Sequence, residues 1–227
     1  MNKNKIILLN DKTSLIQNEF YIFIDQYSPI TVLNLKNTKC FLSAAYSNCS
    51  LDTNFLKKYL EDNVDYFPFV PHEKNLPIIS PYCLSAINDY WVEYDAELCR
   101  KNYYPKYPSR LSAIFAFGDY ETCIKVNRKY RKYGWDLSTV KKFRLNIDNL
   151  TRVIKVNMEI VSYMRTAYER GFFDDKTKND IWKNYWNGTE GIDLELPDVE
   201  SERKIYHSGE IFEYLIEGKL VLIESDQ

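Results

Sequence analysis

The sequence predicts an α+β fold, a single domain in which mixed or antiparallel sheets are flanked by helices. Its 227 residues are enough for one sizeable core. Segments with two-residue alternation and segments with helical spacing follow one another along the chain. There is no internal repeat, low-complexity tract or convincing linker. We therefore expect residues 1–227 to form one domain.

The N-terminal half is expected to contain two strands, a helix, a loop and a second helix. Residues 19–35 look like two strands around a turn, the second of them beginning at Pro29 and ending at Leu35. A helix is expected from near Leu51 to Val64, where apolar residues have helical spacing. Residues 67–81 contain four prolines and are predicted to be mostly loop. A second helix is predicted at about 83–102.

In the C-terminal half, strands and helices are expected to alternate. The apolar run 111–117 reads as a buried strand, and Asp119 is a good N-cap for a helix that runs to about Tyr133. The remaining elements expected are a strand at 140–145, a long helix at 149–169 ended by Gly171, a shorter helix at 175–186, an acidic loop at 190–202, and two strands within 211–223 joined at Gly218.

Composition excludes several classes of site. The net charge is -2, so any affinity for nucleic acid must come from a local patch. Two histidines and no Cys-x-x-Cys pair give no basis for a metal site. The five cysteines read as reduced and structural, which favours a cytoplasmic protein. The apolar run 6–9 is too short for a signal peptide or a membrane span, so no membrane partner is expected.

Arg110 is the first candidate for a binding residue. Pro108 fixes its own φ and pushes Tyr107 towards an extended conformation, so Arg110 is held at the mouth of the following strand. The planar fork of an arginine matches the geometry of phosphate and carboxylate. Arg110 is therefore predicted to bind an anion. The alternative is that it pairs with Glu97 or caps a carbonyl.

Two later motifs also stand out. An aromatic pair, Tyr185 and Trp186, is followed by Gly188 at the end of a predicted helix. Glu213 lies at the start of a late strand, with Glu210 and Glu217 as rival carboxylates. The alternatives are that the aromatic pair only packs in the protein and that Glu213 is a solvated residue on an edge strand.

Together these motifs resemble a family of bacterial domains in the ADP-ribosyltransferase superfamily, distantly similar to the rifampin ADP-ribosyltransferases. In that family a glutamate–arginine helix precedes Pro-Ser-Arg and a strand. A Tyr-Trp-x-Gly element and a Glu-Leu-Leu-x-x-Gly-type strand come later. The resemblance covers about residues 90–223 and leaves 1–80 unmatched. The matching elements are Glu97 and Arg100, Pro108-Ser109-Arg110, Ile114 to Phe117, Tyr185-Trp186-x-Gly188, and Glu213 to Gly218.

The resemblance implies a reaction with NAD as a substrate and no metal. Glu213 would face the positive charge that develops on the nicotinamide ribose. Ser109 and Arg110 would hold the diphosphate or the adenosine ribose, and Phe115 or Tyr185 would stack on the nicotinamide ring. The acceptor of ADP-ribose would be a protein or a nucleic acid. By analogy with the superfamily, a bacterial toxin or phage-defence effector with a neutralising antitoxin protein would suit this activity.

A basic segment offers a surface for a nucleic acid. On the helix predicted from Asp119, Arg128, Lys129 and Lys132 are expected to point outward, beside tyrosines that can stack on bases. The alternatives are a solvated helix face, an RNA-binding protein without chemistry, and a non-catalytic interaction module with a degenerate form of the same fold. The module is suggested because no histidine or arginine precedes His72 to match the adenosine anchor of the relatives. His207 reads as an exposed loop histidine.

Overall fold

Two four-stranded sheets organise the part of the chain that the computed structural model describes, which is residues 7–8, 17–44, 46–47, 58, 81–148, 150–169, 173–188, 191–196 and 203–224. The helices are α1 Pro29–Thr38, α2 Pro81–Tyr103, α3 Tyr120–Tyr130, α4 Met158–Glu169 and α5 Asp175–Trp186. The strands are β1 Ile7–Leu8, β2 Glu19–Phe23, β3 Cys40–Leu42, β4 Ile114–Ala116, β5 Val140–Asn146, β6 Arg152–Asn157, β7 Asp193–Leu196, β8 Lys204–His207, β9 Phe212–Glu217 and β10 Lys219–Leu222.

The first sheet has the strand order β1-β6-β9-β4, and the second has the order β2-β5-β10-β3. Strands β7 and β8 form a separate two-stranded sheet. The pairing of β1 with β6 is parallel, and the other strand pairs of the described chain are antiparallel. A bridge between Tyr21 and Phe117 joins the two larger sheets. The predicted α+β class is therefore confirmed.

Strand β9 has two buried faces because successive side chains of a strand point in opposite directions. Tyr214 and Ile216 belong to the apolar cluster between the two sheets, together with Phe20 and Phe143. Leu215 belongs to the cluster that the first sheet forms with α2, α4 and α5. Glu213 and Glu217 lie on the same face of β9 as Leu215, because they are two residues away from it in the strand. Two carboxylates of β9 therefore lie under the helical layer.

Most of the predicted elements are confirmed with small shifts of their ends, but the buried strand predicted at 111–117 is reduced to β4, in which Phe115 is exposed. The Asp119 carboxylate accepts the N–H of Thr122 at 2.6 Å, so it caps α3 as expected. That helix ends at Tyr130, and a 3-10 turn continues to Tyr133. The helix predicted at 175–186 and the two strands joined at Gly218 are present. No helix in the described ranges combines the length and apolar composition needed to cross a membrane.

The strand predicted from Pro29 to Leu35 is wrong, because these residues form α1. The Ser28 hydroxyl accepts the N–H of Thr31 at 3.4 Å, which is the arrangement of a helix N-cap. Pro29 then occupies the first helical turn, where its missing N–H costs nothing. The helix-start signal of a capping serine followed by proline outweighs the preference of the β-branched residues in this segment for a strand.

The long helix predicted at 149–169 is wrong in its first half, where residues 152–157 form β6. The side chains of Val153, Ile154 and Val156 are all buried. Helix α4 begins only at Met158, after Asn157, whose side-chain oxygen accepts the N–H of Glu159 at 3.0 Å. In a strand that is buried on both sides, apolar residues do not alternate with polar ones. Its hydrophobic pattern therefore cannot be distinguished from that of a buried helix.

Other expectations are corrected or fall outside the described chain. The predicted acidic loop at 190–202 contains β7. His207 is exposed, as expected, but it lies on β8 and not in a loop. The helix predicted at 51–64 and the loop at 67–81 lie outside the described residues, apart from Lys58, which is helical, and the residue that begins α2. The predicted helix end at Gly171 also lies outside them.

Candidate functional site

The turn that carries Arg110 is held by buried hydrogen bonds from both sides. The Ser109 hydroxyl donates to Glu97 of α2 at 2.8 Å, and the Ser109 N–H donates to Glu217 of β9 at 3.1 Å. Arg100, one turn after Glu97, binds both oxygens of that carboxylate at 2.8 and 3.0 Å. Arg100 also donates to the carbonyl of Tyr107, 3.0 Å away. The glutamate–arginine helix therefore fixes the Pro-Ser-Arg turn.

Arg110 is the centre of a cluster that we define as Glu93, Arg110, Phe115, Tyr185 and Glu213. Its Nε and Nη2 donate to the two oxygens of Glu93 at 2.8 and 3.0 Å. Its Nη1 donates to the Tyr185 hydroxyl at 2.5 Å and to Oε1 of Glu213 at 3.4 Å. The guanidinium carbon lies 5.1 Å from the centre of the Phe115 ring. The structure thus brings together four of the predicted site residues.

Ser109, the fifth predicted site residue, lies beside the cluster and belongs to its support. Its hydroxyl donates to Glu97 and also accepts the N–H of Leu111 at 3.2 Å. The first contact ties the turn to α2, and the second lies within the turn. Among the described residues, Ser109 therefore positions Arg110 and does not join the Arg110 cluster.

The Arg110 cluster is largely removed from solvent. The side chains of Arg110 and Glu213 are 7 % and 8 % exposed, and that of Glu93 is 22 % exposed. Burial raises the pKa of Glu213 and that of the Tyr185 phenol, although the positive charge of Arg110 opposes both shifts. Burial also acts on Glu93, but there Arg110 outweighs it and lowers the pKa. Glu93 is therefore the carboxylate that most fully compensates the charge of Arg110.

The cluster reaches the surface through Glu93 and Phe115. Arg165 of α4 lies with its Nη2 3.7 Å from Oε1 of Glu93, and its Nε is 3.2 Å from Asp89. The Arg165 side chain is half exposed. Phe115 is 38 % exposed, although it lies on a strand of the first sheet. Among the members of the cluster, Glu93 and Phe115 are thus the ones with a substantial exposed fraction.

Three alternatives raised by the sequence are decided by the geometry. Arg110 pairs with Glu93 and not with Glu97, which is bound by Arg100. Glu213 is not solvated on an edge, because β9 lies between β6 and β4. Tyr185 and Trp186 are fully buried, so their rings pack in the core as the alternative stated.

Neither rival carboxylate belongs to the cluster. Glu217 accepts two bonds from Arg152, at 2.7 and 2.8 Å, and further bonds from the Ser112 hydroxyl and the Ser109 N–H. It is a buried, fully engaged structural group. Glu210 is exposed, and its backbone N–H donates to another carboxylate. Glu213 is thus the only one of the three that contacts Arg110.

Glu159 holds the loop before β9, a role that the sequence analysis did not predict. Its buried carboxylate accepts the N–H groups of Gly209 and Glu210 at 2.9 Å and that of Ile211 at 3.3 Å. Lys129 of α3 forms an ion pair with the same carboxylate. Glu159 was hidden inside the predicted 149–169 helix. The signal that marks it is Asn157, which caps a helix start just before it.

The predicted nucleic-acid residues divide between two roles. Lys129 forms the ion pair with buried Glu159. Arg128 and Lys132 are exposed, and within the described chain neither has an ion-pair partner. Tyr133, which directly follows Lys132 in the chain, is 79 % exposed. The basic surface of α3 is therefore smaller than the sequence indicates.

The described part of the chain provides neither a grouped set of metal ligands nor an activated buried thiol. In the described ranges, no three His, Cys, Asp or Glu side chains are grouped so that they could hold a metal ion. Cys99 and Cys123 are buried free thiols, and burial raises their pKa values to about 11 and about 12. Such thiols stay protonated at neutral pH and are poor nucleophiles.

A cavity of about 640 Å³ lies between α2 and α5, away from the Arg110 cluster. Leu98 and Cys99 of α2 and Lys178 and Trp182 of α5 are among the residues that line it. None of the five members of the cluster lines this cavity. The Arg110 cluster and this cavity are thus separate features of the protein.

The stability of the protein is expected to depend on pH through Glu159 and Glu213 with opposite signs. Burial would raise the pKa of Glu159, but Lys129 and the backbone N–H groups outweigh it and lower the pKa below 4.5. Its stabilisation is present above that ordinary value and is lost as the pH falls through the folded-state pKa. The pKa of Glu213 is raised, so its ionisation opposes folding as the pH rises above 4.5.

Denaturant unfolding between about pH 3 and pH 7 measures both contributions. Glu159→Gln is expected to lose less stability than the wild type as the pH falls through this range. Glu213→Gln is expected to lose less than the wild type as the pH rises. Stability profiles that run parallel for all three proteins would contradict the assignment.

A family model described as protein of unknown function (DUF2441) matches residues 1–200. The chain belongs to this family. No curated protein matches the chain. The part of this DUF2441 protein that matches includes Glu93, Arg110 and Tyr185, and Glu213 follows it. The family description names no activity.

Proposed function

We propose that this protein is an NAD-dependent ADP-ribosyltransferase that transfers ADP-ribose to a macromolecule. One observation carries the proposal. Three motifs that define the resemblance to that superfamily, represented by Arg110, Tyr185 and Glu213, meet at a single guanidinium. Glu213 and Arg110 are 103 residues apart in the chain. Residues of one binding site must lie together, as these three do. Motifs with separate structural roles would have no reason to meet at one side chain.

The proposed reaction breaks the glycosidic bond between nicotinamide and the ribose carbon C1′. Nicotinamide leaves with the bonding electrons, and positive charge develops on the ribose. The Glu213 carboxylate accepts a hydrogen bond from a ribose hydroxyl and faces that charge, which lowers the barrier. A nucleophile of the acceptor then bonds to C1′ and loses its proton. Arg110 favours the ionised form of Glu213 that this step needs, against the effect of burial.

Within this proposal, Arg110 and Phe115 have the binding roles. Arg110 is the cation that suits the diphosphate of NAD. Phe115 has an exposed ring surface that suits stacking on nicotinamide, and the Tyr185 ring is fully buried. The Tyr185 hydroxyl instead accepts a hydrogen bond from Arg110 and orients it. Ser109 supports the turn.

The acceptor is proposed to be RNA or a protein that contacts the exposed basic face of α3. Arg128 of α3 and Lys132 of the 3-10 turn that follows this helix are both exposed. A role as a toxin or phage-defence effector in the cytoplasm, opposed by a neutralising antitoxin protein, belongs to the same proposal by analogy with the superfamily.

A second candidate is a non-catalytic interaction module, and the burial of the cluster favours it. Arg110 and Glu213 are almost wholly buried and already bonded to other protein groups. In this interpretation the cluster only stabilises the fold, and binding to RNA or a protein uses the exposed basic face. RNA binding would then weaken steeply with salt.

Nicotinamide release from NAD by the purified protein, with and without cell lysate, tests the two candidates. We expect release by the wild type and a loss of about 10²–10³-fold in Glu213→Gln, because a charge that stabilises the transition state is removed. Glu210→Gln is the matched control, since Glu210 is exposed and outside the cluster. Its activity should stay unchanged. Thermal unfolding establishes that both variants are folded.

The opposite outcomes are equally informative. If the wild type neither binds NAD nor releases nicotinamide, the transferase proposal fails and the interaction module is preferred. RNA retention at low salt is then the next measurement. A release that Glu213→Gln leaves intact would exclude Glu213 as the catalytic residue.

A further inference from the structure

Glu93 lies between two arginines that come from different elements. Its Oε1 is 3.0 Å from Nη2 of Arg110 and 3.7 Å from Nη2 of Arg165. Its Oε2 accepts from Nε of Arg110 at 2.8 Å. Glu93 comes from α2, Arg165 from α4, and Arg110 from the turn before β4. The packing of the two helices thus brings a second guanidinium to the carboxylate that Arg110 binds.

A carboxylate shared by two guanidinium groups marks a position that also suits phosphate oxygens. The arginine fork binds carboxylate and phosphate with the same bidentate geometry. A diphosphate has enough oxygens to engage both arginines, whereas Glu93 engages Arg165 only at the longer distance of 3.7 Å. The Nη2 group of Arg165 is therefore only weakly engaged by Glu93, although its Nε pairs with Asp89 at 3.2 Å.

Glu93 is the member of this group that can be displaced. Its side chain is 22 % exposed, against 7 % for Arg110, and it lies on the side of the half-exposed Arg165. If Glu93 moves away, Arg110 keeps the Tyr185 hydroxyl and Glu213 as partners. After displacement of Glu93, Nη1 of Arg110 therefore keeps its two acceptors, while Nε and Nη2 can bind a ligand.

We propose that Arg110 and Arg165 form a two-arginine subsite for a diphosphate, which Glu93 occupies in the free protein. The inference rests on the proposed function, in which the diphosphate is that of NAD, and it names Arg165 as a further binding residue. Glu93 competes with the ligand for Arg110, so the free protein binds diphosphates weakly. Binding of NAD is accompanied by release of the Glu93 carboxylate towards solvent.

Titration calorimetry with inorganic pyrophosphate and with ADP-ribose tests the subsite. Glu93→Gln keeps the size of the side chain and removes the competing charge, so both probes are expected to bind about tenfold more tightly than to the wild type. Adding Arg165→Gln to that variant should abolish the gain. Asp89→Asn is the matched control, because Asp89 pairs with the same Arg165 but is not among the partners of Arg110. Its gain should be about threefold or less.

Equal gains in Glu93→Gln and Asp89→Asn would overturn the subsite, since they would reflect only the loss of a negative charge. Absence of pyrophosphate and ADP-ribose binding in all of these proteins would also overturn it. Arg165→Gln alone covers the case in which Glu93→Gln does not fold. This variant keeps the pair of Arg110 with Glu93 intact. We expect it to bind ADP-ribose at least about fivefold more weakly than the wild type does. Unchanged binding would overturn the proposal.

These results are separable from the test of the transferase. Tighter pyrophosphate binding in Glu93→Gln without nicotinamide release would keep the anion subsite and reject the transferase. Nicotinamide release that neither Glu93→Gln nor Arg165→Gln alters would keep the transferase and reject the subsite.

Discussion

Replacing Arg110 by alanine is expected to lower the free energy of unfolding by about 3–5 kcal/mol, because it leaves a buried carboxylate without its cation. Glu213 is 8 % exposed, and the cation in contact with it is Arg110. Glu93 retains some solvent and Arg165, so its share of the loss is smaller. The Tyr185 hydroxyl loses its donor as well. Urea denaturation monitored by tryptophan fluorescence measures the change.

Two further variants separate the buried charge from other effects of the Arg110 substitution. Arg110→Ala combined with Glu213→Gln should recover part of the loss, because the unpaired buried charge is gone. Arg165→Ala removes the other arginine that contacts Glu93. Because Arg165 is half exposed, the expected cost is only about 1 kcal/mol or less. Equal costs for the two single arginine variants would argue against a special role for the buried guanidinium.

Replacing Glu159 by alanine is expected to cost about 3 kcal/mol, because three backbone N–H groups lose their acceptor at once. The side chain is completely buried, so water does not readily replace it. The loop at 209–211 leads directly into β9. Hydrogen exchange of these loop amides should be faster in the variant than in the wild type. The increase should be larger for them than for the amides of the strands in the first sheet.

Lys129→Ala provides the control for Glu159. The Lys129 side chain is 36 % exposed, and its removal leaves the Glu159 carboxylate bound by the N–H groups of the loop. The expected cost is about 1 kcal/mol. If this variant were as unstable as Glu159→Ala, the ion pair and not the backbone bonds would be the main contribution.

The elements predicted well from sequence are those with a local boundary signal. Asp119 marks the start of α3, and Gly218 marks the joint between the last two strands. A similar signal was present for α1 in Ser28 and Pro29, but the apolar, β-branched residues that follow favoured a strand. Helix capping is a specific interaction, whereas β propensity depends strongly on context.

Strand β6 was missed for a different reason. Its residues are buried both against the helices and between the sheets, so hydrophobicity shows no alternation. Such a strand is indistinguishable by period from a segment of buried helix. Only Asn157, which caps α4, marks the boundary.

The Arg110 cluster was predicted in part. Motif order indicated Arg110, Tyr185 and Glu213, which the fold does bring together. Glu93 and Arg165 were missed because neither belongs to a recognisable motif. Their contacts with the cluster depend on how α2 and α4 pack over the first sheet, and sequence spacing does not determine this packing.

The two buried glutamates of β9 have a consequence for how the first sheet assembles. A shift of β9 by one residue against β6 would turn Glu213 and Glu217 into the apolar cluster between the sheets, which includes Phe20 and Phe143. There they would be far more costly than beside Arg110 and Arg152. The carboxylates therefore select one pairing register for the strand, and misaligned sheets are rejected during folding by the energy of a buried charge.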